Sequence, residues 1–140
     1  MMDHRQISQA IQEQSGALAE ATTVRQYERQ PELTTRYGVR GRAKCVQDAR
    51  HHFLELGATI GLSSPPVFAR YIAWARDLLL ARGIPQTDLV VHLECMQQAV
   101  QQILPENMQA TVNRYIQTGL EQLDANHSPG SEDRLQRSLP

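Results

Sequence analysis

The chain has 140 residues, 41% of them hydrophobic, and a formal net charge of −1. That length suits one domain with a core of its own, and the apolar content argues against disorder. The near-neutral charge gives no electrostatic case for nucleic acid or an anionic membrane as partner. Lys44 is the only lysine, so the other fixed positive charge is arginine, which reads as a compositional bias. Cys45 and Cys95 stand fifty residues apart, which signals neither a zinc knuckle nor a redox dithiol, and a disulfide scaffold is not expected. The start, MMDHRQISQAIQEQ, has no apolar stretch of the kind a signal peptide carries. No apolar run approaches the roughly 18 residues of a membrane span. A reducing, cytoplasmic setting is the expectation.

In chain order, Asp3 can cap a first helix, predicted near 4–28, with a thin stripe of Ile7, Ile11, Leu18 and Ala21. Gly16 weakens it. Gln30-Pro31-Glu32-Leu33 and Tyr37-Gly38-Val39-Arg40-Gly41 read as two breaks. From 40 to 61, Val46, Ala49, Phe53, Leu56 and Ile60 share one helical face, and Gly61 ends the run. Ser64 and Pro65 open a helix over 65–83 that carries Val67, Tyr71, Trp74, Leu78 and Leu79, and Gly83 closes it. Leu89, Leu93, Met96, Val100 and Ile103 mark a helix over 86–104. After Pro105, Met108, Val112, Tyr115, Ile116, Leu120 and Leu123 mark the last one over 106–125. No strand-like alternation occurs. Residues 126–140 are polar and rich in turn formers, and read as a disordered or loosely attached tail behind a helical domain over 1–125.

Cys45, Asp48 and His52 stand at i, i+3 and i+7 of the 40–61 helix. At about 100° per residue they line the rim of its apolar face, where the polar contacts of a pocket belong. A metal site of thiolate, carboxylate and imidazole would need a fourth ligand, and this spacing is no established signature. A Cys–His catalytic pair would need an orienting group and an oxyanion hole that no motif supplies. The third reading is a buried small cysteine beside a half-exposed Asp and His. His51 points away from His52. Trp74 reads as core more readily than as a ligand platform, and Met96, on an apolar stripe, reads as core. Gly-rich phosphate loops, HExxH, GxSxG and paired catalytic carboxylates are missing from the sequence. The Gly38-to-Gly41 spacing is too weak to use, and nothing marks an enzyme.

The order of signals from residue 27 to about 124 resembles the phycobiliproteins. Gln30-Pro31-Glu32-Leu33 matches a QPxL stretch, followed by Tyr37 and Arg40, and Cys45-Val46-Gln47-Asp48 matches a Cys-x-Arg-Asp motif. His51-His52-Phe53-Leu54 stands where the family has two aromatics and a leucine. Arg82-Gly83-Ile84-Pro85 matches an LGxP turn, and Met96-Gln97-Gln98-Ala99 a Met-x-x-Ala step. The resemblance implies an all-α, globin-like fold. It also implies a bilin (a linear tetrapyrrole) bonded through the cysteine, an aspartate on the pyrrole N–H groups and arginines on the propionates. Cys45, Asp48 and Arg40 match those positions, and His52 and Trp74 join them as candidate pocket residues. The pairings are physically sensible, since guanidinium grips carboxylate bidentately.

Three departures shape the expected function. Gln47 replaces the motif's arginine, His51 and His52 replace aromatics, and only 44 residues precede Cys45. They predict no stable thioether at Cys45 and no antenna role. The chain is most similar to bilin biosynthesis-associated globins of cyanobacteria, which implies a non-catalytic accessory or regulatory role in bilin metabolism, by protein contact or reversible bilin binding. The competing classes are a covalent bilin-carrying light harvester or sensor, a haem globin, and a plain helical dimerisation module. Haem is not expected, because the 65–83 segment, where a globin's proximal histidine lies, contains none. Phe68, Tyr71 and Trp74 span about 120° of helix surface and cannot all face inward. That spread, with the stripe of the 4–28 helix, predicts exposed apolar surface and a homodimer to which the N-terminal helix contributes. Bilin-synthesis or phycobilisome-related proteins are alternative partners.

Overall fold

A computed structural model describes residues 3–126 of the chain. The tail expected beyond the last helix lies outside them, save Asn126. Six helices follow in order: α1 (His4–Glu13), α2 (Ser15–Arg29), α3 (Glu32–Gly61), α4 (Pro65–Ala81), α5 (Gln86–Ile103) and α6 (Glu106–Asn126). No strand occurs among the described residues, so the all-α expectation holds.

The expected Asp3 cap is present as a capping box: its carboxylate accepts from the Arg5 N–H at 3.2 Å, while Gln6 Oε1 accepts from the Asp3 N–H. The single helix expected over 4–28 is two. Gln14, at φ −102° and ψ 9°, interrupts it two residues before Gly16. At the other break the chain resumes helix sooner than expected, at Glu32, and turns at Gly38. Gly38 has φ 67° and ψ −164°, a conformation open to glycine and strained for other residues. A side chain there would have space, so the backbone and not packing demands the glycine. Gly41 is the reverse case. A Cβ on it would overlap the Tyr37 Cβ, so the chain before the bend lies directly on the first turn after it. The weak Gly38–Gly41 spacing is thus the device that bends α3.

Ser64 makes no side-chain cap bond; Pro65 and Pro66 alone start α4. At its end Gly83 takes φ 81°, with the Gly83 N–H on the Leu80 carbonyl and the Ile84 N–H on the Leu79 carbonyl. That is the Schellman arrangement, which satisfies carbonyls a helix end would otherwise orphan.

α1 packs on α3, α2 on α3 and α5, and α6 on α4 and α5. The stripes expected from periodicity form the core: Ile7, Ile11, Leu18, Phe53, Leu56, Ile60, Leu93, Met96, Val112, Ile116 and Leu123 are buried with Phe68 and Ile72. α4 and α6 cross at Gly119, whose missing side chain lets Ile72 and Phe68 approach closely. The expected arc on α4 is resolved as geometry requires. Phe68 is fully buried, Tyr71 sits at the boundary and Trp74 is 55% exposed. Within the predicted N-terminal helix, Ile7, Ile11 and Leu18 are buried inside the protomer, against α3 and the rest of the core, while Val24 is exposed. Large apolar side chains are exposed at Val24 on α2, at Val39 on α3, at Leu62 just beyond it, and as a group of three on α4, at Trp74, Leu78 and Leu80.

Candidate functional site

A cavity of about 160 Å³ opens where α2, the bent start of α3, and α5 meet. Its apolar walls are Leu33, Leu79, Ile84 and Leu89, with Tyr27 and Tyr37 beside them; Gln26, Cys45, Asp48, His52, Asp88 and His92 supply its polar groups. The bend at Gly38 creates this place, because it carries Leu33 and Tyr37 across the end of the seam.

Cys45, Asp48 and His52, predicted to line one rim, do line this cavity. Cys45 is half-buried and already engaged: Thr23 Oγ1 donates to its Sγ at 3.6 Å, and the thiol donates to Gln26 Oε1 at 3.6 Å. Burial pushes its thiol up, Asp48 adds to this, and the Thr23 bond and Arg42 oppose it. Asp48 stands at the mouth, paired with Lys44 at 2.8 Å. His52 is buried, shares a 2.7 Å hydrogen bond with the Tyr71 hydroxyl, and meets the His92 ring edge to face at 5.3 Å between centroids. Burial holds His52 well below its ordinary value, and His92, His51 and Lys44 lower it further. Burial also lowers His92, to about 4, against a small opposite pull from Asp48. Both imidazoles are therefore neutral at pH 7.

Two expected residues are not there. Arg40 is exposed and lies off the cavity, because the turn at Gly38 swings it to the solvent side. The arginine that reaches the seam is Arg36, whose Nη1 donates to Asp88 Oδ2 at 3.4 Å. Trp74 also lies off the cavity: three residues beyond Tyr71, it falls on the outer face of α4, 5.7 Å ring to ring from Tyr71.

The polar groups that sequence reasoning left out are Gln26, Asp88 and His92. Gln26 Nε2 donates to the Asp88 carbonyl at 3.1 Å and to Gln30 Oε1 at 3.1 Å, and its Oε1 lies 2.6 Å from His92 Nδ1. Asp88 also accepts from Gln30 Nε2 at 2.9 Å. Gln26 and His92 had a visible signal, and Asp88 had none. Thr22 and Gln26 continue the buried row begun by Leu18, and His92 interrupts the apolar stripe of Leu89, Leu93 and Met96. Among the described residues, no group of three or more His, Cys, Asp or Glu side chains is placed to hold a metal ion. No described helix is long and apolar enough to cross a membrane.

A bent, all-helical chain with a cavity between its helices is an all-α, globin-like domain. The sequence matches the family described as Phycobilisome protein over residues 3–123, and the chain belongs to that family. The family has the globin-like fold and is generally one of non-enzymatic, bilin-binding, light-harvesting proteins that assemble into complexes. No curated protein matches the chain.

Proposed function

We propose that the protein is a non-catalytic accessory or regulatory globin of bilin metabolism that holds one end of a linear tetrapyrrole reversibly. The observation that carries this reading is the cavity itself: Cys45 and Asp48, the residues that match the family's Cys-x-Arg-Asp motif, border it, and it is small. About 160 Å³ lies below the roughly 300–1,000 Å³ of sites that enclose a drug-sized ligand. A pyrrole ring fits, and the remainder of the molecule would lie across the mouth. There Lys44 is half exposed and paired with Asp48, and Arg42, exposed and outside the lining itself, stands 5.0 Å over the ring of the lining residue Tyr27. Lys44 and Arg42 would meet the propionates, Lys44 by exchanging Asp48 for one of them. The bilin supplies absorbance and N–H donors; the chain orients it and excludes water from one ring.

The Cys45 thiol favours reversible over covalent binding. Its pKa is raised and the group is already hydrogen-bonded, so the thiolate needed for bond formation is scarce. The test is zinc-induced fluorescence of the denatured protein after expression in bilin-producing cells, beside a biliverdin titration of the purified chain. Saturable binding without a fluorescent band is expected. A band that disappears in Cys45→Ala would replace this reading with the covalent pigment.

The partner surface proposed is the outer face of α4, where Trp74 and Leu78 lie one turn apart and both exposed. A homodimer through this face predicts a dimeric mass by light scattering that becomes monomeric in Trp74→Glu. A monomeric mass for the unaltered chain at tens of micromolar would assign the face to a bilin-synthesis or phycobilisome-related protein instead.

A further inference from the structure

We propose that His92 Nε2 is a preset hydrogen-bond acceptor for the ring N–H of a flat heteroaromatic group entering the α2–α3–α5 cavity. The inference rests on the reading of this cavity as a pyrrole-ring site, and names the atom that recognises the ring.

The argument begins at a group with no choice of role. The Asp88 backbone carbonyl can only accept, and it lies 3.1 Å from one end of the Gln26 amide. That end is therefore the NH₂, which fixes the other as oxygen. The same oxygen stands 2.6 Å from His92 Nδ1 and 3.6 Å from the Cys45 thiol. An amide oxygen cannot donate, so Nδ1 carries the proton. A neutral imidazole holds one N–H, which leaves a bare lone pair on Nε2. Burial, with only a weak opposing pull from Asp48, keeps the ring neutral.

Nε2 is buried and has no hydrogen-bond partner. His92 as a whole is 6% exposed and forms part of the cavity wall, with the neutral His52 ring as its neighbour. The other buried polar atoms without partners among the described residues, on Arg25 and Asn113, belong to residues that do not line the cavity. Asp48, the carboxylate at the mouth, is engaged by Lys44. The other lining carboxylate, Asp88, accepts from Gln30 and Arg36, so the buried acceptor of the lining that has no partner at all is the imidazole nitrogen. The guest it suits is neutral, apolar on its faces and carries one N–H on its edge. The volume agrees: a cavity of about 150 Å³ in another protein takes up benzene.

Indole and indene separate this acceptor from generic hydrophobic capture, because they share a shape and differ in the N–H. Calorimetric titration of the full chain at pH 7 is expected to show indole about tenfold tighter than indene, since a guest lacking the donor leaves the buried acceptor unpaired. Adding indole should shift the ¹⁵N resonance of His92 Nε2, and the free protein should show Nδ1 as the protonated nitrogen. In His92→Leu the indole preference should vanish. Equal affinities in the unaltered chain, no binding of either guest, or a protonated Nε2 in the free protein would each overturn the proposal without recourse to a variant. A biliverdin titration separates it from the wider reading. Biliverdin binding unchanged in His92→Leu would refute the acceptor and leave the bilin reading standing. An indole preference without biliverdin binding would uphold the acceptor and remove the bilin.

Discussion

Acidification should unfold this protein from inside the cavity seam. His92 titrates near 6.5 when unfolded and at about 4 in the fold, chiefly because burial penalises its charged form. Between those values the unfolded chain binds a proton at this site and the native chain does not. Unfolding is therefore favoured by about 1.4 kcal/mol for each pH unit of descent. The stability is fully present above about pH 6.5 and is lost as the pH falls towards 4. Over that interval His92 alone accounts for about 3 kcal/mol, a large share of the roughly 5–15 kcal/mol that holds a typical domain. His52, lowered by its own burial and by His92, acts in the same direction. Of the charged groups around the pair, Asp48 favours protonation of His92, and Lys44 opposes protonation of His52. Urea unfolding at half-unit steps from pH 7.5 to 4.5 should show stability dropping with a slope of one to two protons. The slope should fall by about one proton in His92→Leu. Stability that stays level between pH 7 and 5, or a native His92 resonance titrating near 6.5, would refute the reasoning.

Gly41→Ala should cost about 1–3 kcal/mol in thermal or urea melts, because its methyl group overlaps the Tyr37 Cβ and must push the α3 bend open; a melt unchanged within error would mean that the bend is not held by this contact. Gly119→Ala should cost a similar amount, since the new Cβ would stand 3.0 Å from Ile72 Cγ1 and 3.2 Å from Phe68 Cε2, both fully buried. Cys45 should react with iodoacetamide at pH 8 at least several-fold more slowly than a free thiol, and faster once the chain is unfolded, because burial raises its pKa; equal rates in the two states would contradict its placement. Haem reconstitution should give no stoichiometric Soret band, since α4 carries no histidine to serve as a proximal ligand and a cavity of about 160 Å³ lies below the size of sites that enclose large ligands; a stoichiometric band lost on replacing His52 or His92 would refute this.

The helices were legible where an apolar stripe was long. Phe53, Leu56 and Ile60 on α3 and Leu93, Met96 and Val100 on α5 point inward as their spacing requires. Pro65, Gly83 and Pro105 separate helices where expected. What could not be read was direction after a bend. Gly38 was recognisable as a break, but a break does not state the angle of departure, and that angle removes Arg40 from the site and brings Arg36 to Asp88. Trp74 failed as a pocket residue for the opposite reason: its phase relative to Phe68 was legible, but which end of the arc faced the core was not. The Cys45–Asp48–His52 rim was visible because all three lie on one helix. Gln26 and His92 belong to two other helices, and only tertiary packing brings them within 2.6 Å.

That packing also explains why the seam is polar. A seam of similar volume filled with leucine would cost no desolvation, whereas buried imidazoles and amides are tolerated only when their hydrogen bonds are made. Most are made here: Gln26 serves Asp88, Gln30, His92 and Cys45 at once, and Tyr71 serves His52. The network ties α2, α3, α4 and α5 to one another by directional bonds, so the positions of Cys45 and His52 are set more narrowly than apolar contacts would set them. It ends at His92, a residue of the cavity lining whose Nε2 is buried without a partner. A local conflict with the rules of core construction tends to mark a functional position. This conflict sits beside the same cavity that the Cys45–Asp48 rim borders, and the two observations come from different helices.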